Sequence, residues 1–303
     1  MAEVIINSLP VFVAILLGKL FSYKKIILKE AANTIGTITF KLIGPFFIFN
    51  VIYNISLNTQ KSFLFYSSII MIAVVLISTY LSGKYIFKLK KARLGALILC
   101  LTSFGAGAVY PFVGLNFSES TFKDFVIVDM LSFFVYLLLA SFIASYFGKN
   151  TKKAGSIFKS NLKDPFILTM LITVLINLLN VPVPKVFIQT SEFFSQSFFL
   201  MASLFVGLTL KLPNSKQILK LSQFYIFRLV IVIITVMLIS ITLPLSKEQT
   251  YPLYLTFFAQ YTVLAVIFSK EQDLDHEFAS QLVLFSMVAQ LFLYPIAIIL
   301  LKA

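Results

Sequence analysis

Long apolar segments recur along the whole chain and limit how it can fold. Runs of roughly 17–25 residues with few charges follow one another, and this length crosses ~30 Å of hydrocarbon. Apolar residues make up 59% of the sequence and charged residues 12%, whereas soluble domains are about 45–50% apolar. We therefore predict an all-α polytopic membrane protein embedded in a lipid bilayer.

The hydropathy pattern predicts ten transmembrane helices. Their predicted bounds are 4–21, 32–54, 63–83, 92–115, 122–147, 164–180, 188–211, 222–244, 251–268 and 277–301. The first segment does not resemble a cleavable signal peptide, because Glu3 stands where a basic region is expected and no small-residue cleavage pattern follows.

The basic residues are concentrated in alternate loops. The net charge is +13, and the loops after spans one, three, five and seven are rich in lysine, as at Lys24, Lys91, Lys152 and Lys216. Loops of this kind stay cytoplasmic, so we expect both termini outside a bacterial plasma (inner) membrane. Because the charge is divided among short loops, no nucleic-acid partner is expected.

The longest loop divides the chain into two halves. Residues 1–148 and 164–303 each contain five predicted spans, and residues 149–163 form a basic cytoplasmic linker. An odd number of spans per half gives the halves opposite orientations, as in inverted-repeat transporters that bind substrate near the membrane midplane. At the start of the second half, Asp164-Pro165 predicts a helix N-cap followed by proline at the first helical position.

Span four contains the segment best suited to binding a ligand. Glycine and proline cost roughly 1 and 3 kcal/mol in a helix interior, and Pro111 also disfavours helical dihedrals at Tyr110. A break at membrane depth is tolerated where it is buried in protein or lines a cavity, and its freed N–H groups can bind an anion. The candidate residues are Ser103, Gly105, Tyr110 and Pro111. A simple kink for close helix packing is the alternative.

Span nine holds a polar triplet, Gln260, Tyr261 and Thr262, in an apolar run. If the halves are repeats, this triplet matches the break in span four, although it contains neither glycine nor proline. Its polar side chains could replace freed backbone groups as substrate ligands, or could serve only in hydrogen bonds between helices. We predict that the triplet belongs to the substrate site.

Three charged side chains fall inside predicted spans, where each is costly and indicates a function. Lys41 in span two and Arg228 in span eight are candidates for attracting an anion, and both could also snorkel to the interface. Asp129 in span five is the candidate for proton coupling. His276 has no neighbouring histidine or cysteine, so no metal site is expected. No catalytic motif is present, and we do not expect an enzyme.

Short motifs occur in a characteristic order and spacing along nearly the whole chain. They comprise Leu9-Pro10, Leu17-Gly18, residues 42–50, Asp164-Pro165-Phe166, residues 181–184, residues 204–210, residues 268–271 and residues 279–286. In this order they resemble the auxin efflux carrier family, which includes bacterial malate and organic-acid permeases and the plant auxin exporters.

The resemblance implies two inverted five-helix repeats, as in bile-acid-symporter-like and NhaA-like folds. Spans four and nine would be broken and would cross at the midplane around a carboxylate, with Asn50 as a further polar ligand. Spans one, two, six and seven would form a scaffold with a homodimer contact. The chain departs from the family at Phe104, where asparagine is usual, and in span nine, where Gln260 and Ala265 replace a proline region.

These observations together predict a secondary transporter, a permease for small organic anions such as malate, that works by alternating access without a cofactor. Uniport and coupling to H⁺ or Na⁺ stay open. A sodium-coupled bile-acid-type symporter is one alternative, and sodium-dependent uptake would favour it. A membrane receptor or scaffold of the same fold is another, and it would bind ligand without flux.

Overall fold

The computed structural model describes residues 2–54, 62–148, 163–210, 215–243 and 245–302, and these residues form helices without any strand. The α-helices are α1 (Ala2–Tyr23), α2 (Lys29–Thr37), α3 (Gly44–Tyr53), α4 (Ser62–Leu81), α5 (Lys91–Leu101), α6 (Tyr110–Asn116), α7 (Glu119–Phe147), α8 (Pro165–Leu178), α9 (Lys185–Gln196), α10 (Phe198–Thr209), α11 (Ser215–Thr242), α12 (Lys247–Phe258), α13 (Leu264–Glu271) and α14 (His276–Lys302). Two π-helices cover Ile38–Ile43 and Ser82–Ile86, and a 3₁₀ turn covers Ala106–Ala108. Of the predicted linker, residues 149–162 lie outside the described residues, and so does Lys152.

Seven helices in the described part of the chain are long and apolar enough to cross a membrane. They are Glu3–Tyr23, Glu30–Tyr53, Phe63–Ile86, Glu119–Phe147, Lys185–Thr209, Ile218–Thr242 and His276–Lys302. The three other predicted spans differ from single long helices, because α8 has 14 residues and spans four and nine are each interrupted. The inverted relation between the halves stays a prediction.

The described helices belong to two compact units, and each unit combines segments from both predicted halves of the chain. The first unit lies within Met1–Lys61, Gly107–Val126 and Ser160–Leu210. The second unit lies within Ser62–Ala106, Ile127–Lys159 and Lys211–Ala303. These units are defined by packing, whereas the predicted halves are defined by span order, so the division at residues 148 and 164 stays a prediction about repeats.

Aromatic side chains form much of the core of the first unit. Phe47 of α3 stacks on Phe198 of α10 with 4.3 Å between ring centroids, and Tyr110 lies 5.5 Å from Phe47 and 5.4 Å from Phe125. Pro111 lies in the first turn of α6, where its missing N–H removes no helical hydrogen bond. Tyr110 therefore begins a helix, and the expectation of non-helical dihedrals there was wrong.

The core of the second unit is mainly aliphatic. Its buried side chains come from α4, α7, α11 and α12 and include Leu64, Met71, Ile72, Val75, Val128, Val232, Val236, Ile239 and Leu253. Phe104 and Phe257 belong to the same cluster, with their rings edge to face at 4.4 Å. Phe104 is thus anchored by packing next to the interruption of span four.

The start of α8 confirms the predicted N-cap. The backbone N–H of Phe166 donates to the Asp164 carboxylate at 2.9 Å, and Pro165 occupies the first turn. Asp164→Ala should lower the free energy of unfolding by about 1 kcal/mol, because one N–H at the helix start loses its acceptor. Asp164→Asn should be nearly neutral, since asparagine caps equally well. Thermal unfolding in detergent would compare the two, and equal midpoints for both variants would contradict the prediction.

Candidate functional site

The interruption of span four brings its backbone against that of span nine inside the second unit. α5 ends at Leu101, and residues 103–105 are not helical. The Gly105 N–H donates to the Gln260 carbonyl at 2.8 Å. A Cβ atom on residue 105 would lie 3.1 Å from Cγ of Gln260, so glycine suits this close approach. The structure therefore contains the break that was predicted in span four.

Span nine is also interrupted, between the end of α12 at Phe258 and the start of α13 at Leu264. Three consecutive backbone N–H groups donate to side-chain oxygens, each at 3.0 Å. The pairs are Gln260 with Oε1 of Gln290, Tyr261 with Oγ of Ser286, and Thr262 with Oγ of Ser103. Side chains from other elements thus replace the lost helical acceptors, which explains how the break forms without proline or glycine.

Ser286 and Gln290 were not among the predicted site residues. Both are buried on α14, and Gln290 also donates through Nε2 to Oε1 of Gln260 at 2.8 Å. Their spacing of four residues places them on one helix face. A polar pair at that spacing in an apolar helix was a usable signal, but the sequence did not indicate which segment it would bind.

Arg228 is buried near the middle of α11, with 1% of its surface exposed. Its guanidinium carbon lies 5.1 Å from the ring centroid of Phe104 and 4.8 Å from that of Tyr261. Its guanidinium interacts with the Tyr261 hydroxyl, and no other acceptor for its three nitrogens is found among the residues that the structure describes. The alternative that Arg228 snorkels to the surface therefore does not apply in this structure.

The surroundings of Arg228 only partly compensate its charge. Removing an unpaired ion from water costs several kcal/mol, and each desolvated cation–π contact returns roughly 2 kcal/mol. Arg93, the other arginine of the sequence, also lies over a ring, that of Phe278, but it has a carboxylate partner in Asp275 at 3.7 Å. No such ion pair is found for Arg228 within the described ranges.

Asp129 lies in the part of α7 that belongs to the second unit, and it is largely buried at 8% exposure. It interacts electrostatically with Tyr294 of α14, whose hydroxyl donates to the Leu255 carbonyl at 2.9 Å. Asp129 thus lies near Tyr294, the residue through which α14 bonds to α12.

The remaining predicted residues lie in the first unit. Asn50 donates to Oγ of Ser195 at 3.2 Å and accepts from Asn54 at 3.1 Å, so its amide is already hydrogen-bonded. Tyr110 and Pro111 are buried. Lys41 is exposed within the first π-helix. The structure thus brings Ser103, Gly105, Gln260, Tyr261 and Thr262 together with Arg228 in the second unit, while the other candidates occupy separate positions in the first.

Comparison with known proteins supports a transport role. The sequence matches no protein-family profile. An uncharacterized transporter from Methanocaldococcus jannaschii is 26% identical over 235 residues, which is 74% of each chain. The apolar helices and this similarity together indicate an integral membrane protein of the transporter type.

Proposed function

We propose that the chain is a secondary transporter that moves small organic anions across the membrane by alternating access. The observation that carries this proposal is the pair of interrupted helices joined by the Gly105–Gln260 hydrogen bond. Interrupted helices at membrane depth occur where backbone is buried in protein or lines an aqueous cavity, and their ends commonly bind the substrates and ions of transporters.

A stripe of exposed polar residues in the first unit supports an aqueous path. Glu30, Asn33, Thr37 and Lys41 are all exposed, and their helical spacing places them on one face of α2 and the following π-helix. Lys41 lies near the middle of the apolar helix Glu30–Tyr53. Because a charge facing lipid at that depth is costly, we infer that this face meets water during part of the transport cycle.

The charged residues have distinct proposed roles. Arg228 binds the anion and Lys41 attracts it, while Asp129 is the candidate for proton coupling. Malate or another carboxylate is the proposed substrate, and H⁺ or Na⁺ is the proposed coupling ion. We further propose that the protein forms a homodimer in a bacterial inner membrane, with both termini outside.

Counterflow in proteoliposomes tests this function. Vesicles would be preloaded with unlabelled malate, pyruvate, 2-oxoglutarate or indole-acetate, and entry of the same labelled acid would be followed. We expect saturable exchange of at least one acid, and at least a tenfold decrease with Gln260→Ala, whose side chain bonds to Gln290 beside the break. Tyr110→Ala should also decrease exchange, by loosening the aromatic core of the first unit.

Ser222→Ala is the matched control, because Ser222 is only partly buried and its hydroxyl bonds to the Leu219 carbonyl within its own helix. Its exchange should equal that of the unmodified protein. Imposed gradients of H⁺ or Na⁺ would distinguish proton coupling from the sodium-coupled alternative. Ligand binding by folded protein without exchange of any acid would contradict transport and favour a receptor.

A further inference from the structure

We propose that Arg228 and Tyr261 form a recognition site for a single carboxylate group in the second unit, and that the ligand is a monocarboxylate with an apolar body. This inference rests on the proposed transport function and names the class of anion. Among the carboxylates proposed above, it predicts that monocarboxylates are preferred over dicarboxylates such as malate.

Two buried hydrogen-bond donors, the Arg228 guanidinium and the Tyr261 hydroxyl, lie next to each other in the second unit. Arg228 is 1% exposed and Tyr261 is fully buried. The guanidinium and the Tyr261 hydroxyl interact with each other, and neither has a further hydrogen-bond partner among the described residues. The guanidinium carbon lies 4.8 Å from the Tyr261 ring centroid. Buried polar groups in proteins are almost always hydrogen-bonded, and one contact between the two side chains leaves most of the guanidinium N–H donors without an acceptor. This shortage points to a ligand that supplies the acceptor.

The geometry of the donors selects a planar anion. Guanidinium presents its N–H groups as a fork that matches the two oxygens of a carboxylate. Phe104 and Tyr261 hold the guanidinium by their ring faces, which leaves the N–H edge without an internal carboxylate. The adjacent hydroxyl of Tyr261 adds one donor for the same anion. Arg228 can therefore bind a carboxylate without first breaking an ion pair.

The surroundings of Arg228 favour a ligand with one negative charge over a ligand with two. The titratable groups that interact electrostatically with Arg228 in the described structure are Tyr261, Tyr225 and Cys100, and none is a second cation. The Tyr225 hydroxyl already donates to the Phe258 carbonyl at 3.3 Å. Phe104 and Phe257 add apolar surface. A second carboxylate here would lose its hydration without an opposite charge, which is strongly unfavourable, whereas an alkyl chain carries no such penalty.

The test compares hexanoate with adipate, which share six carbons and differ in the second carboxylate. Their binding to the purified full-length protein in detergent would be measured by isothermal titration calorimetry. We expect hexanoate to bind at least tenfold more tightly than adipate. Equal or tighter binding of adipate, or no binding of hexanoate, would overturn the inference, and this comparison requires no variant.

Three variants then locate the site. Arg228→Lys keeps the charge but loses the fork, and Tyr261→Phe removes only a hydroxyl whose described contact is with Arg228 itself. Each should weaken hexanoate binding at least tenfold without lowering the thermal midpoint of the free protein. Arg93→Lys is the matched control, since Arg93 also lies over a ring but is paired with Asp275, and it should bind hexanoate normally. Unchanged affinity in both Arg228→Lys and Tyr261→Phe would overturn the assignment.

The outcomes separate this inference from the proposed function. If hexanoate binding depends on Arg228 but no acid is exchanged in proteoliposomes, the recognition site is supported and the proposed transport function is contradicted. If malate is exchanged saturably and Arg228→Lys does not change this exchange, transport is supported and the monocarboxylate site is overturned.

Discussion

Gly207→Ala is expected to lower the thermal midpoint of the purified protein by ~10 °C. In the first unit, α1 and α10 pack so closely that a Cβ atom on residue 207 would lie 2.0 Å from the Ile15 carbonyl oxygen. The obstructing atoms are backbone, so no side-chain rotation relieves the overlap and the two helices must separate. Overpacking of this severity costs about 3 kcal/mol, and a domain of this size loses roughly 2–4 °C per kcal/mol.

Gly83→Ala is the control for this substitution. Its added Cβ atom also has a close neighbour, but that neighbour is the terminal methyl Cδ1 of Leu94 at 2.4 Å, which can rotate away. We expect a change of less than 1.5 kcal/mol or so. Size-exclusion chromatography of heated samples would give both midpoints. A midpoint for Gly207→Ala within ~2 °C of the unmodified protein would show that the contact between α1 and α10 is looser than the structure indicates.

Gln290→Leu is expected to abolish exchange and to destabilise the second unit. The leucine is similar in size but removes the acceptor for the Gln260 N–H and the donor to the Gln260 side chain. Both Gln260 groups would stay near the break without partners, and each buried unsatisfied group costs ~1–3 kcal/mol. The total of about 2–6 kcal/mol would favour rearrangement of residues 259–263. Counterflow and thermal unfolding would measure the two effects.

Ser67→Ala provides the matched comparison in the same unit. The Ser67 hydroxyl is buried without a hydrogen-bond partner in the described structure, so its removal should be neutral or slightly stabilising. Exchange should stay at the level of the unmodified protein. If Gln290→Leu exchanged substrate as fast as Ser67→Ala, the hydrogen bonds from α14 would not be needed for transport.

The two substitutions with the largest expected effects lie at Gly207 and Gln290, and the sequence indicates the contacts of these two residues to different degrees. Gly18 and Gly207 belong to motifs that carry the family resemblance, and in the structure they lie in the same contact, with a Cβ on residue 18 placed 3.1 Å from Cα of Gly207. Glycine at a helix contact is a local signal of close backbone approach. Gln290 gives a weaker local signal. Its spacing from Ser286 indicates a polar helix face, but a glutamine in an apolar helix can bond to any neighbouring segment.

Sequence alone determined the features that depend on local chemistry. Apolar segments indicated membrane helices, glycines and Pro111 indicated the break in span four, and Asp164 indicated a helix start. Each follows from the length, dihedral preferences or hydrogen-bonding groups of consecutive residues, so no knowledge of distant contacts was needed.

The resemblance implied a break in span nine, but only the tertiary structure shows which groups stabilise it and what surrounds Arg228. The span-nine N–H groups bond to side chains 25, 30 and 159 residues away, and Arg228 lies against Phe104 and Tyr261 through packing of separate helices. Hydropathy and local propensity describe neighbours along the chain. The partner of a buried N–H or a buried charge is instead set by which helix faces meet, and only folding brings those faces together.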